Sequence, residues 1–152
     1  MGLRIQAVAR LRAGRETGRG AGAVFYCPAT GRFLLVKRSD RGDDPGTWCC
    51  LGGGVDDDDP SFEHTVLREA QEEAGFSGEC DLHFMYVCEQ PDFSFYNYCA
   101  VVPEEFKPRL NDEHTEYQWV AREDFPEPMH EGFMEALNSD SGQSVLKRLG
   151  AL

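Results

Sequence analysis

The chain has 152 residues and a formal net charge of −12, from 15 Lys plus Arg against 27 Asp plus Glu. That length makes one domain, expected over 1–152, with enough chain to bury a core without staples, and 41% apolar with 28% charged residues is an ordinary globular composition. The acidic balance excludes unaided binding to a nucleic-acid backbone, no apolar run approaches a membrane span, and neither argument excludes a small phosphorylated ligand carried by cations held on acidic residues.

Residues 1–19 read as an N-terminal strand or arm, without a secretory apolar core. "GAGAVFYC" (20–27) and "FLLVKR" (33–38) are β-rich runs joined by the turn signal "PATG", a hairpin. "SDRGDDPGTW" and "LGGGVDDDDP" read as loops, the second with glycines first and acids after. "SFEHTVLREAQEEAG" (61–75) is expected to be a helix, with Ser61 as N-cap and Gly75 as the stop. "LHFMYVCE" and "FSFYNYCAVV" are strands joined by "QPD", "EYQWVA" is a further short strand, and "HEGFMEALNS" and "GQSVLKRLG" are terminal helices. Strands, one central helix, more strands and late helices predict an α/β (α+β) fold with a mixed sheet. The six cysteines contain no Cys-x-x-Cys pair, so they are expected to be reduced core residues of a cytoplasmic protein.

In the central helix, Glu69, Glu72 and Glu73 stand at i, i+3 and i+4, on one face. Phe62, Val66 and Ala70, flanked by Leu67 and Ala74, are the expected buried stripe, with the acids beside it. Taken alone, such a face is ordinary solvated helix surface. A rigid metal site is the other reading. The upstream "GGGV" favours it, being backbone that can bend sharply and approach a ligand closely. Asp56 to Asp58 read as solvated, because the twelfth position from Asp56 is Leu67, where a calcium loop needs Glu. Arg38 and Lys37 are candidate phosphate contacts. Tyr96 and Tyr98 are candidates for stacking a base, with core packing as the plainer role.

"WCCLGGGVDDDDPSFEHTVLREAQEEAGF" resembles the signature box of the Nudix hydrolase family, in its small single-domain, MutT-like form. Arg68, Glu69, Glu72, Glu73 and Gly75 match the fixed polar and glycine positions of its second half, and Ala70 and Phe76 fill apolar slots. The first half departs from the pattern. Asp59 replaces the family's Glu, eight residues rather than seven separate it from Arg68, and Leu51 stands where Pro is usual. "FLLVKRS", "PGTW" and "NDEHTEYQWV" resemble flanking family segments, and "EPMHEGF" resembles the end of small phage and bacterial members.

The resemblance implies an α/β/α sandwich and a metal-dependent pyrophosphohydrolase. Such an enzyme cleaves a nucleoside diphosphate linked to another group, with Mg²⁺ or Mn²⁺ as cofactor. It implies Glu69, Glu72, Glu73 and the Gly52 carbonyl as metal ligands, Glu69 also as the alternative base, and Arg68 as the brace of the loop. Asp59 is the expected partner of that brace. An acid from outside the box is implied as ligand or base: Glu113 first, Glu116 or His114 otherwise. The expected partner is a small nucleotide, with neither nucleic acid nor membrane; homodimers are common in the family, and the sequence leaves open whether this chain forms one. The alternative is a Nudix-fold module that senses a nucleotide without cleaving it.

Overall fold

A computed structural model describes residues 18–152, so the expected arm over 1–19 lies almost wholly outside the described residues. The hairpin forms as expected: β1 (Arg19–Cys27) pairs antiparallel with β2 (Arg32–Arg38), and Gly31 takes the positive φ that the turn requires. Their pairing covers only the hairpin end. Beyond it the next segment fills in, β3 (Trp48–Cys49) on β2 and β4 (Leu51–Gly54) on β1, with the change of partner at Cys50. The expected second loop is therefore partly strand. Its glycines are extended rather than sharply bent, with no positive φ at Gly52, Gly53 or Gly54.

Helix α1 (Phe62–Ala74) has the expected limits. Ser61 Oγ accepts from His64 N, and Gly75 closes the helix at φ 69°. Strands β5 (Asp81–Gln90) and β6 (Phe93–Val101) form a second hairpin, and β6 runs parallel to β1. Strand β7 (His114–Val120) returns to pair with β2. Helices α2 (Glu131–Asn138) and α3 (Asp140–Arg148) follow, capped by His130 and Ser139. Among the described residues the seven strands form one mixed sheet, ordered β3-β2-β1-β6-β5, with β4 on β1 and β7 on β2.

Side-chain alternation gives the sheet two covered faces. On one, Phe25 meets Phe76 just beyond α1, Tyr96 stacks on Phe62 at 3.8 Å, and the buried Tyr98 donates to Glu63. On the other, the Tyr26 hydroxyl donates to the Gly150 carbonyl beyond α3, and Phe33 reaches Phe133 of α2 through Phe125. This is the α/β/α sandwich. The expected stripe of α1 holds for Val66, Ala70 and Ala74, but Leu67 is 41% exposed. Thr65, Glu69 and Glu73 are buried in its place, because the helix turns its polar edge toward β4. Tyr96 and Tyr98 serve packing, and all six cysteines are free thiols. No helix among the described residues is long and apolar enough to cross a membrane.

Glycine at three places in the β1–β4 ladder is a matter of space. A Cβ on Gly22 would lie 2.5 Å from the Leu51 carbonyl oxygen, and one on Gly52 would lie 2.6 Å from the Gly22 Cα. The Phe95 ring lies over Gly20, Gly22 and Gly52 and takes the room their missing side chains leave. Gly22→Ala is expected to destabilise the fold by about 1–3 kcal/mol through overpacking. A urea denaturation midpoint at least as high as that of the wild type would show that the ladder yields.

Candidate active site

The close ladder lets α1 bring carboxylates against bare backbone. Glu69 is 1% exposed, and its carboxylate fills the place of a side chain at Gly53: a Cβ there would sit 2.5 Å from Glu69 Cδ. Glu73, 2% exposed, accepts a hydrogen bond from Gly52 N at 3.0 Å. Burial pushes the Glu73 carboxyl well above its usual range. Glu69 and Glu113 raise it further, against the opposing Gly52 N–H. Glu72 turns outward with its side chain 47% exposed.

Arg68 binds this region together. Its guanidinium grips Asp59 with two bonds, Nε to Oδ1 at 3.0 Å and Nη2 to Oδ2 at 2.8 Å. Nη2 also donates to the Gly54 carbonyl at 2.9 Å, and Nη1 reaches Glu69 at 3.0 Å and Glu72 at 3.3 Å. Asp59 Oδ2 accepts in addition from Asp56 N and from the Thr65 hydroxyl. The departures in the first half of the box therefore leave the brace intact, with the extra loop residue offsetting the shorter acid. Burial acts to raise the Asp59 carboxyl, but the bonds from Arg68, Asp56 N and Thr65 outweigh it and hold it well below the usual carboxylate range. Asp57 and Asp58 are exposed, as solvated residues should be, and Asp56 is half-buried.

Glu113 arrives from far along the chain. Arg109 N donates to the Ala74 carbonyl at 2.8 Å, and Asn111 N to the Glu73 carbonyl at 3.2 Å. Asn111 Nδ2 also donates to the Glu72 carbonyl. The segment thus completes the carbonyls left open at the C-terminus of α1. Asn111 Oδ1 accepts from Glu113 N, and the Glu113 carbonyl accepts from Ser39 N. A bulge follows. Lys37 pairs with Glu116 but Arg38 pairs with His114, so Thr115 is extra. Glu113, His114 and Arg38 thereby line the same cavity as Glu73 and Gly52, whereas Glu116 is exposed and pairs with Lys37. Burial, and then Arg38, push the His114 imidazole down to about 3, so it is neutral.

The cavity holds about 320 Å³, within the range of small-ligand sites. Arg38 donates from Nε to the Asp43 carbonyl and so props the loop at the mouth. Across that mouth, Arg41 pairs with Asp112 at 3.1 Å. The far wall includes Phe95, Asn97 and Phe133, with His130 at the N-terminus of α2. Sequence reasoning missed Asn111, Asn97 and His130. Asn111 lies in a turn with no pattern of its own, and the other two enter only through strand and helix placement. Among the described residues no three His, Cys, Asp or Glu side chains converge as they stand on one ion-sized point.

The NUDIX domain family model matches residues 16–138. The chain belongs to the Nudix family. A putative 8-oxo-dGTP diphosphatase 3 from Mycobacterium tuberculosis is 33% identical over 125 residues, 74% of this chain and 57% of that protein. An RNA pyrophosphohydrolase from Gluconacetobacter diazotrophicus is 43% identical over 63 residues, 38% of this chain and 36% of that protein. The matched parts are thus less than two thirds of either curated relative. Among solved structures, a MutT NUDIX hydrolase from Burkholderia pseudomallei superposes with a TM-score of 0.65 at 29% identity, covering 80% of this chain and 96% of that one.

The brace of this Nudix domain is open to direct measurement. Asp59→Asn and Arg68→Gln are expected to be non-additive in stability, with a coupling of about 0.5–3 kcal/mol in a double-mutant cycle. Strict additivity would mean that the bidentate pair contributes nothing as a pair. The depressed Asp59 carboxyl also gives a sign in pH. Its stabilisation is complete above the unfolded value near ~3.9 and is lost as pH falls through the lower folded value. Below about pH 4 the wild type should therefore lose stability more steeply than Asp59→Asn, read as thermal midpoints across an acid series.

Proposed function

We propose that the domain hydrolyses a phosphoric anhydride in a nucleoside diphosphate linked to another moiety. Candidates are an ordinary or oxidised nucleoside triphosphate, a dinucleoside polyphosphate, ADP-ribose and a sugar nucleotide. The observation that carries this reading is the burial of Glu69 and Glu73 against Gly53 and Gly52, with Glu113 lining the same cavity as Glu73. Buried carboxylates that face one another need positive charge. Arg68 reaches Glu69 and Glu72, while Glu73 accepts from the Gly52 N–H and acts on Arg38 only through space. The carboxylates of Glu69, Glu73 and Glu113 are oxygen donors, which suits a hard divalent cation.

Glu69, Glu72, Glu73 and the Gly52 carbonyl would hold Mg²⁺ or Mn²⁺, with Glu113 as the acid from outside the helix. Such an ion neutralises an anionic pyrophosphate and lowers the pKa of water. The chain's own residues then divide the work. Arg68 fixes the helix edge against the loop, and Arg38 presents positive charge to a phosphate. Glu113 or Glu69 takes a proton from the attacking water. The buried, neutral His114 packs beside Arg38 and is a weaker candidate for that proton.

The test is a panel of these substrates with Mg²⁺ and Mn²⁺, assayed for release of phosphorylated products. Glu72→Gln should lower kcat by at least about 10²-fold with folding largely intact. Glu113→Gln should slow turnover more than Glu116→Gln, whose side chain pairs with Lys37 at the surface. Near-normal turnover in Glu72→Gln would return the acidic helix face to a surface role. Binding without turnover across the panel would make the domain a sensor.

A further inference from the structure

The cavity has two walls of different chemistry. The end of β2, its loop and the 112–114 segment supply Arg38, Arg41 and Glu113, while β5, β6 and α2 supply Cys88, Phe95, Asn97 and Phe133. Asn97 is a polar side chain among the Phe95 and Phe133 rings of that second wall, and it is only 5% exposed.

Its amide has a fixed orientation. The β5–β6 ladder slips between Phe84 and Tyr86, leaving Met85 as an extra residue, and Asn97 stands opposite the slip. Asn97 Nδ2 donates to the Tyr86 carbonyl at 3.2 Å and to the Phe95 carbonyl at 3.2 Å. Both amide hydrogens are thereby engaged. A flip would set Oδ1 against two carbonyl oxygens, so the bulge itself locks the amide. Asn97 lines the cavity, and Oδ1 is the amide atom that these bonds leave over, an acceptor only.

We propose that Asn97 determines which base this site takes, by accepting a hydrogen bond from the exocyclic amine of a nucleobase seated against Phe95 and Phe133. The inference rests on the reading of the site as a nucleotide hydrolase. Adenine, guanine and cytosine carry such an amine. Uracil and thymine place a carbonyl oxygen there, which would meet Oδ1 acceptor to acceptor. An acceptor buried without a donor is costly, so the preference is set by what the wrong base leaves unpaired.

The measurement uses the full chain and nucleoside monophosphates in matched pairs that differ by one amine. Adenosine against purine riboside monophosphate, guanosine against inosine monophosphate, and cytidine against pyrimidin-2-one riboside monophosphate are titrated by calorimetry. Wild-type protein should bind the amine-bearing member of at least one pair about tenfold more tightly, and that pair identifies the base. Asn97→Leu, similar in size but without the acceptor, should bind both members within about twofold. Equal affinity within all three pairs on the wild type overturns the inference, as does discrimination that survives in Asn97→Leu. Should the variant fail to fold, the wild-type pairs decide alone. Hydrolysis of triphosphates without amine discrimination would overturn only the role of Asn97. If nucleotides are neither bound nor hydrolysed, the reading of the site falls together with this inference.

Discussion

The guanidinium of Arg68 ties together three parts of the chain that would otherwise move independently. It holds the acidic loop through Asp59, the glycine strand through the Gly54 carbonyl, and the edge of its own helix through Glu69 and Glu72. The planar fork suits this work, since it offers several donors in fixed directions while staying charged. Asp59 is matched to it by the Thr65 hydroxyl and Asp56 N, which complete the carboxylate's remaining acceptor sites. Because this network is saturated, the loop keeps one position relative to α1, and the carboxylates of α1 keep one position relative to β4.

That arrangement depends on an absence of side chains on the facing strand. Gly52 and Gly53 let Glu73 and Glu69 reach the backbone of β4, and Gly22 lets β4 approach β1 closely enough to stay in the sheet. The space given up on the opposite face is occupied by the Phe95 ring. One run of glycines therefore meets two needs, a seat for buried carboxylates on one side and an aromatic floor for the cavity on the other. Glu73 bears the consequence. With Glu69 and Glu113 acting on it and little room for water, its carboxyl resists ionisation.

Glu113 joins this region because the 109–113 segment satisfies open carbonyls at the end of α1, and because the strand that follows carries an extra residue. A one-residue change in register reverses which side chains face which side of a strand. Here the bulge at Thr115 puts His114 beside Arg38 and sends Glu116 outward to Lys37. Three neighbouring candidates in one short stretch thus acquire three different surroundings.

The helix from Ser61 to Gly75, its cap and stop, the hairpin strands, the late helices and the grouping of Glu69, Glu72 and Glu73 were all legible in the residues. Each follows from local rules: 3.6-residue periodicity, a hydroxyl before a helix, a glycine after it. The family box was legible for the same reason, as its acids and arginine lie within one helical run. Only the tertiary structure decided that Leu67 faces outward while Glu69 and Glu73 are buried, since burial depends on what packs against a helix and not on its own pattern. Likewise, it decided that the glycines form a strand rather than a bend, because their role is close approach to distant backbone. The reach of Asp59 to Arg68, the position of Glu113 on the cavity with Glu116 at the surface, and the bonds that hold the Asn97 amide belong to the same class. Each rests on hydrogen bonds and strand register between segments far apart in the chain, and no local preference encodes those.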